Sequence, residues 1–511
     1  MRKGPGILKK VFQRVVMVFI SILAQLVVFV LLIWKFQDNN EIFYVLLLLL
    51  SMAASLVIIS KNTNPAYKIA WLVPILIFPV FGGLFYLMLG GNRISRRQRK
   101  KLERVELTMH RHLPANPETS EALAAINPSA AIQSDYLTNV AGCPPYRQTE
   151  TQYFPLGDDA YPAMLDALQK AEKYIFLEYF IIGEGVMWDG ILKILRHKAQ
   201  NGLDVRVMYD DFGCIQVLPA GYRKQLEAWG IKCCVFSPFI PVVSARLNNR
   251  DHRKLMIIDG KVGFTGGINL SDEYINRKER FGHWKDNAIS LRGEAVWSMT
   301  VMFLSLWDYV RGEADSIPSF LPPEPQVEGH GFVQPYTDNP MDDEPVGSSV
   351  YLNLIARANR YIHIMTPYLI IDHSMFQALV TAAKSGVEVI LLTPHIPDKW
   401  YVHVLTRAHY EELVKSGVKI YEYTPGFLHS KVFSVDGHYA TVGTVNLDYR
   451  SLYLHFENGV FLYDADCVAD VEKDFQDTLA QSEEITLEAC RATSLPVRLV
   501  RSLLRLFAPL M

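Results

Sequence analysis

The larger part of this chain repeats one order of elements, and that repetition constrains its fold more than any other feature. "AEKYIFLEYFII" (171–182) and "ANRYIHIMTPYLII" (358–371) each carry a helix end into a buried strand. A helical pattern follows in both, "MWDGILKILRHKAQNG" (187–202) and "SMFQALVTAAKSG" (374–386), with Gly202 or Gly386 placed as a C-cap. Apolar strands come next, "LDVRVMYDD" (203–211) and "VEVILLTP" (387–394), and then helices in "YRKQLEAWGIKCCVFSP" (222–238) and "YEELVKSGVKIYEYTP" (410–425). Each series ends on His-x-Lys-x-x-x-x-Asp, "HRKLMIID" at 252–259 and "HSKVFSVD" at 429–436, followed by "FTGGINL" (264–270) or "TVGTVNL" (441–447). Strand and helix alternating in this way predict an α/β class, with two similar domains whose sheets are largely parallel and covered by helices. The first copy is longer just before its motif, where "FIPVVSARLNNRD" stands against "GFL". This insertion is expected to shape the mouth of a site.

On a strand, positions i and i+2 share a face, so His252 lies beside Lys254 and His429 beside Lys431. Brought together, two ammonium groups match the nonbridging oxygens of a phosphodiester, whose charge otherwise repels a nucleophile. One neutral imidazole can attack phosphorus while a second, protonated one gives its proton to the leaving alkoxide. Such a site requires no metal and no cofactor. Asp259 and Asp436 complete the two motifs, but each stands seven residues past its His and just before Gly260 or Gly437. They are expected to hold turn or backbone geometry rather than to carry protons. Asn269 and Asn446, each seventeen residues past the His, are placed to donate amide hydrogens to phosphoryl oxygens. Asp286 and Glu457 are the candidates for orienting the imidazoles, although their spacings from the preceding His, 34 and 28 residues, do not match.

The apolar residues are concentrated before residue 92. "VVMVFISILAQLVVFVLLIW" (15–34) and "IFYVLLLLLSMAASLVIIS" (42–60) carry no charge, and each is long enough for a hydrocarbon core of about 30 Å. "IAWLVPILIFPVFGGLFYLMLGG" (69–91) is equally apolar but contains Pro74, Pro79 and Gly82-Gly83. A basic N-terminus and the basic run "RISRRQRKKLER" (93–104) both favour the inside of a membrane, which is satisfied when the third stretch is re-entrant. Residues 105–135, polar and rich in Asn, Pro and Ala, read as a linker. "PVRLVRSLLRLF" (496–507) spaces Arg498, Arg501 and Arg505 at helical intervals among apolar residues. It fits either an interfacial amphipathic helix or a core-packing one with solvated arginines. A formal charge of −2 over 511 residues excludes a globally basic nucleic-acid binder, and the six cysteines show neither a CxxC pair nor zinc-ligand spacing.

The paired motifs resemble the phospholipase D superfamily over roughly 136–485. "AWLVPILIFPVFGGLFYLMLGGNR", "LEYFII", "NNRDHRKLMIIDGKVGFTGGINLSDEY" and "FLHSKVFSVDGHYATVGTVNLDYRS" resemble bacterial cardiolipin synthases. The resemblance implies two phospholipase D-like domains packed as a pseudo-dimer behind an α-helical membrane region. The expected divisions are 1–92 (transmembrane and re-entrant), 93–135 (basic flank and linker), 136–325 and 326–490 (the two domains) and 491–511 (basic amphipathic segment). It further implies transfer of a phosphatidyl group from one phosphatidylglycerol to another, with release of glycerol. By family habit His252 forms the phosphatidyl-histidine and His429 is the acid/base; the residues themselves do not separate the two. The expected setting is the bacterial cell (inner) membrane, multi-pass, with the catalytic part on the cytoplasmic side. The expected partners are phospholipid and membrane, with no nucleic acid; homo-oligomers are left open. A hydrolase, or a transphosphatidylase with another alcohol acceptor, uses the same residues and is the alternative.

Overall fold

In each half an Asp-Gly pair reverses the chain. Asp259 and Gly260 have φ of 54° and 66°, and Asp436 and Gly437 have φ of 56° and 80°. Two successive residues in left-handed backbone close a tight antiparallel hairpin, because that turn matches the twist of the strands it joins. The computed structural model describes residues 41–90, 96–239, 248–312, 316–323, 327–342 and 344–510, with isolated positions 23, 27, 31 and 35. The expected span at 15–34 and most of the 239–251 insertion lie outside the described residues.

The first half contains β1 (Thr149–Phe154), β2 (Tyr174–Tyr179), β3 (Asp204–Asp210), β4 (Lys232–Phe236), β5 (Arg250–Asp251), β6 (Leu255–Ile258), β7 (Val262–Gly266), β8 (His283–Lys285) and β9 (Ala288–Gly293). The second contains β10 (Phe332–Asp338), β11 (Tyr361–Met365), β12 (Leu369–Ile370), β13 (Glu388–Pro394), β14 (Lys419–Tyr423), β15 (Gly426–Leu428), β16 (Val432–Val435), β17 (Tyr439–Gly443), β18 (Leu447–Asp448), β19 (His455–Tyr463) and β20 (Ser482–Glu484). The main sheets run β1-β9-β7-β6-β2-β3-β4 and β10-β19-β17-β16-β11-β13-β14-β20, the same order in both halves with β20 added. Only β2-β3-β4 and β11-β13-β14 are parallel; the other neighbours are antiparallel. This corrects the expectation of largely parallel sheets. Helical crossovers make parallel neighbours only up to β4 or β14, after which the Asp-Gly hairpins impose a meander.

Strand alternation divides each side chain set between two layers. Phe176, Leu255 and Ile257 join one core, while Ile175, Leu177, Met256 and Ile258 face Trp188 and Ile191 in another. The first of these cores is continuous across the halves and includes Met299 and Phe303 as well as Tyr336, Val350 and Phe461. The helix Val296–Arg311 supplies much of that seam, with every residue from Ser298 to Trp307 buried. Residues 105–135 are helical rather than a linker: Arg96–His112, Pro117–Ile126 and Pro128–Ala141 are helices. Asn116 and Asn127 cap the second and third with Pro117 and Pro128 at their first turns, and Leu102, Met109, Leu123 and Leu137 are buried in the continuous core.

The apolar stretch 69–91 is not one straight element. Helix Pro65–Ile77 stops at Phe78 and helix Pro79–Leu89 starts at once, because Pro79 cannot continue the first hydrogen-bond ladder. The second helix returns along the first and along Glu41–Ser60; a Cβ on Gly82 would lie 2.4 Å from Ile75 Cα, and one on Gly83 2.5 Å from Ser51 Cα. Tyr67 donates to the carbonyl of Gly90 at 2.8 Å and Lys61 to Tyr86 at 3.0 Å, so both ends of the hairpin lie at one level. Among the described residues no helix is long and apolar enough to cross a membrane, and the multi-pass expectation is not supported.

Candidate active site

Each motif histidine follows a very short strand that pairs with the other half. β5 lies parallel to the start of β19 and β15 parallel to β8, with Arg250 opposite His455 and Phe427 opposite Trp284. The His252 amide then donates to Phe456 O at 2.9 Å and the His429 amide to Lys285 O at 2.7 Å. The His-x-Lys segments themselves are extended links between strands rather than strand interiors. This reciprocal exchange puts both histidines and both lysines in one buried place, with each histidine 7 % and each lysine 1 % exposed.

The carboxylates pair across the halves. Glu457 Oε1 and Oε2 lie 2.9 Å from His252 Nδ1, and Asp286 Oδ2 lies 2.6 Å from His429 Nδ1. The unequal spacings of 34 and 28 residues compared the wrong partners, since each carboxylate faces the histidine of the other copy. An ionised carboxylate only accepts, so each Nδ1 carries hydrogen and each Nε2 keeps its lone pair. Lys254 donates to the carbonyl of His252 at 2.6 Å and Lys431 to that of His429, with Lys431 Nζ also 2.9 Å from His429 Nδ1.

Burial dominates the electrostatics. It holds His252 well below the usual imidazole range, with Lys254, Lys431 and His429 adding to the effect. His429 is pushed down to about 4 by burial and Lys431, while Asp286 pulls the other way. Burial also takes Lys254 down to about 7 and Lys431 to about 8, against the attraction of Glu457 and Asp286. An arriving phosphodiester anion would reverse these shifts by giving each cation a partner.

Asp259 accepts from the amides of Glu172, Lys173 and Tyr174 at 2.7–2.8 Å, and Asp436 from those of Asn359, Arg360 and Tyr361 at 2.7–2.9 Å. Both tie the hairpin turn to the start of a neighbouring strand. Asn269 is engaged by the fold: its Oδ1 accepts from Ile181 N at 2.9 Å and its Nδ2 donates to Tyr274 at 2.8 Å. Among the described residues, Asn446 Oδ1 is buried with no hydrogen-bond partner.

Three residues absent from the sequence-derived set line the site. Thr444 donates to Glu457 Oε2, whereas its counterpart in the first half is Gly267, where a Cβ would lie 2.0 Å from Asp286 Oδ1. His455 and Trp284 are counterparts as well, with ring centroids 5.6 Å from His252 and 5.5 Å from His429. His455, two residues before Glu457, offered only the presence of a further histidine as a signal. Its Nδ1 lies 3.7 Å from Glu457 Oε1, and burial pushes it down to about 4 against the pull of that carboxylate. The sequence offered no metal cluster, but the fold brings ligand atoms of His252, His455 and Glu457 within 4.8 Å of one another. A cation there would engage the imidazole of His252 and sit near two lysines, which opposes it by charge.

Two similar α/β halves, each lending a histidine, a lysine and a carboxylate to a shared site, define the phospholipase D-like class of phosphodiester-transferring enzymes. Family models agree. "Cardiolipin synthase, PLD-like domain" matches residues 164–306 and 351–479, and "Phospholipase_D-nuclease N-terminal" matches 49–91. The chain is 37 % identical to a cardiolipin synthase of Geobacillus kaustophilus, with 89 % of this chain and 91 % of that protein aligned. It is also 37 % identical to cardiolipin synthase 2 of Bacillus anthracis, covering 89 % of each. An uncharacterized protein of Streptococcus mutans is 42 % identical over 89 % of this chain and 99 % of its own length. In fold it resembles the crystal structure of phosphatidylserine synthase from Haemophilus influenzae, with a TM-score of 0.56 at 16 % identity, over 74 % of this chain and 98 % of that one. The chain belongs to the PLD-like cardiolipin synthase family.

Proposed function

We infer that this chain is a membrane-associated phosphatidyltransferase that makes cardiolipin and glycerol from two phosphatidylglycerol molecules. The observation that carries the reading is the crossed pair of imidazole–carboxylate contacts, His252 with Glu457 and His429 with Asp286, in one buried site holding Lys254 and Lys431. The two halves act as a pseudo-dimer, divided as 136–325 and 326–490, with the N-terminal hairpin embedded in the bacterial cell membrane and the catalytic halves on its cytoplasmic face.

His252 is assigned as nucleophile. Burial and the ammonium groups favour the neutral form of both imidazoles before substrate arrives, as a nucleophile requires. The parts of His252 and His429 follow the family pattern, with Asp286 supporting the imidazolium of His429 once the phosphodiester anion is bound. Nε2 of His252 forms a bond to phosphorus as the bond from phosphorus to the glycerol oxygen breaks, and His429 gives glycerol a proton. The terminal hydroxyl of a second phosphatidylglycerol then returns a proton to His429 and attacks phosphorus, breaking the N–P bond. Lys254 and Lys431 take up the charge on the nonbridging oxygens, with Asn446 a further partner. Asp259 and Asp436 serve the chemistry only through the backbone they hold.

Labelled phosphatidylglycerol in vesicles tests the reading. Cardiolipin and glycerol are expected in equal amounts, with His252→Ala and His429→Ala each inactive. Phosphatidate as the main product would establish the hydrolase instead.

A further inference from the structure

We propose that the C-terminal helix Leu495–Phe507 lies flat in the headgroup layer of a bilayer, with Leu495, Leu499 and Leu503 pressed into lipid. This deepens the reading of a membrane-associated enzyme and rests on it. The helix has no buried residue, and these leucines are 79 %, 73 % and 58 % exposed. Their spacing of four places them along one side of the helix.

The arginines occupy the opposite side and are already engaged by the protein. Arg498 meets Glu411 at 2.7 Å, Arg505 meets Glu412 at 3.3 Å and Arg501 donates to Thr493 at 3.3 Å. An ordinary basic amphipathic helix offers its cations to anionic headgroups. Here Arg498 and Arg505 fasten the helix to the catalytic half and turn the leucines outward. Attraction to lipid then comes from apolar insertion, about 5–10 Å deep.

The surface continues into two others that suit the same boundary. Beyond the helix, Ala508 is buried with Ile370, Leu405 and Tyr449, and Leu510 packs on Ala54, Ile58 and Trp71 of the N-terminal hairpin. That hairpin exposes Leu46, Leu49, Met52, Leu56, Leu76 and Ile77, and its base is joined to the catalytic half by Asn64 donating to Asp372 at 2.9 Å. On the other flank, the helix Trp400–Arg407 packs on the C-terminal helix with Trp400 67 % exposed, a residue suited to the headgroup boundary. Two residues before it, Asp398 accepts from Tyr368 and is among the charges acting on Lys431. The bilayer surface therefore runs along the half that carries His429 and Lys431.

The test labels Leu499→Cys with a fluorophore in the full chain, reconstituted into vesicles of phosphatidylglycerol and phosphatidylethanolamine bearing a nitroxide high on the acyl chain. All six native cysteines are buried, so the added thiol reacts preferentially. A label at Lys193→Cys, on an exposed surface of the first half, is the reference. The Leu499 label is expected to lose most of its emission to the nitroxide and the Lys193 label to keep it, unchanged by raising the salt to 1 M. Three results would overturn the proposal: equal emission at both sites, quenching abolished by salt, or quenching that needs a second labelled copy and no nitroxide. Cardiolipin formation measured on the same vesicles separates failure of this proposal from failure of the enzymatic reading.

Discussion

At the scale of single residues, the carboxylates that orient the imidazoles are the most informative targets. Glu457→Gln and Asp286→Asn keep shape but replace an acceptor-only carboxylate by an amide whose NH2 can donate to Nδ1, so hydrogen is no longer held there. Each is expected to lower kcat on the order of 10²–10⁴-fold, as loss of the orienting carboxylate does in a catalytic triad. Circular dichroism should remain unchanged. The buried cations predict a pH dependence. Free Lys254 and Lys431 lose their protons near pH 7 and 8, so kcat/KM should fall as pH rises through that window. The alkaline limb of kcat should lie higher, because bound phosphodiester stabilises the ammonium forms. For stability the sign is opposite. Both folded-state values lie below the ordinary 10.5, so the unfolded state binds more protons between about pH 7 and that value. These two lysines therefore make the substrate-free fold more stable as pH rises, which denaturant titrations at several pH values would check.

Among the elements, the two Asp-Gly hairpins are equivalent in sequence and unequal in surroundings. Alanine at either glycine must adopt left-handed backbone, at a cost of about 1–2 kcal/mol. At Gly260 its Cβ would also lie 2.5 Å from Tyr174 Oη, whereas at Gly437 the nearest atom is Tyr361 Oη at 3.5 Å. Gly260→Ala should thus be the more destabilising in thermal unfolding. The turns were legible in the sequence as Asp-Gly after an apolar strand; what stayed hidden was that each closes an antiparallel hairpin and so ends the parallel part of its sheet. The helices within 105–135 were hidden by composition. Their Asn-Pro and Pro signals are start signals as well as loop signals, and only the buried leucines decide between them.

For the whole molecule, the site exists only while the halves stay docked. Lys285 of the first half meets Asp474 of the second at 2.7 Å, both nearly buried, and Asp474 also accepts from Tyr153. Removing one partner leaves the other charge unpaired. Lys285→Ala should cost about 3–5 kcal/mol in chemical denaturation. Activity should fall with it because β8, which carries Lys285, also pairs with β15 just before His429.

The repeat, the two His-x-Lys pairs and the chemistry they suit were all legible in order and spacing, because local alternation and short offsets do not depend on distant residues. The structural part assigned to Asp259 and Asp436 came from the same short range. Which carboxylate meets which histidine was decided by docking, since His252 and Glu457 are 205 residues apart and meet only through the exchange of β5 and β15 between halves. His455, Thr444 and Trp284 gained a place in the site in the same way. The C-terminal helix shows the division most plainly: periodicity separates its arginines from its leucines, but only Glu411 and Glu412 decide which side faces the protein. A one-dimensional pattern defines two faces, and the charges across the contact choose between them.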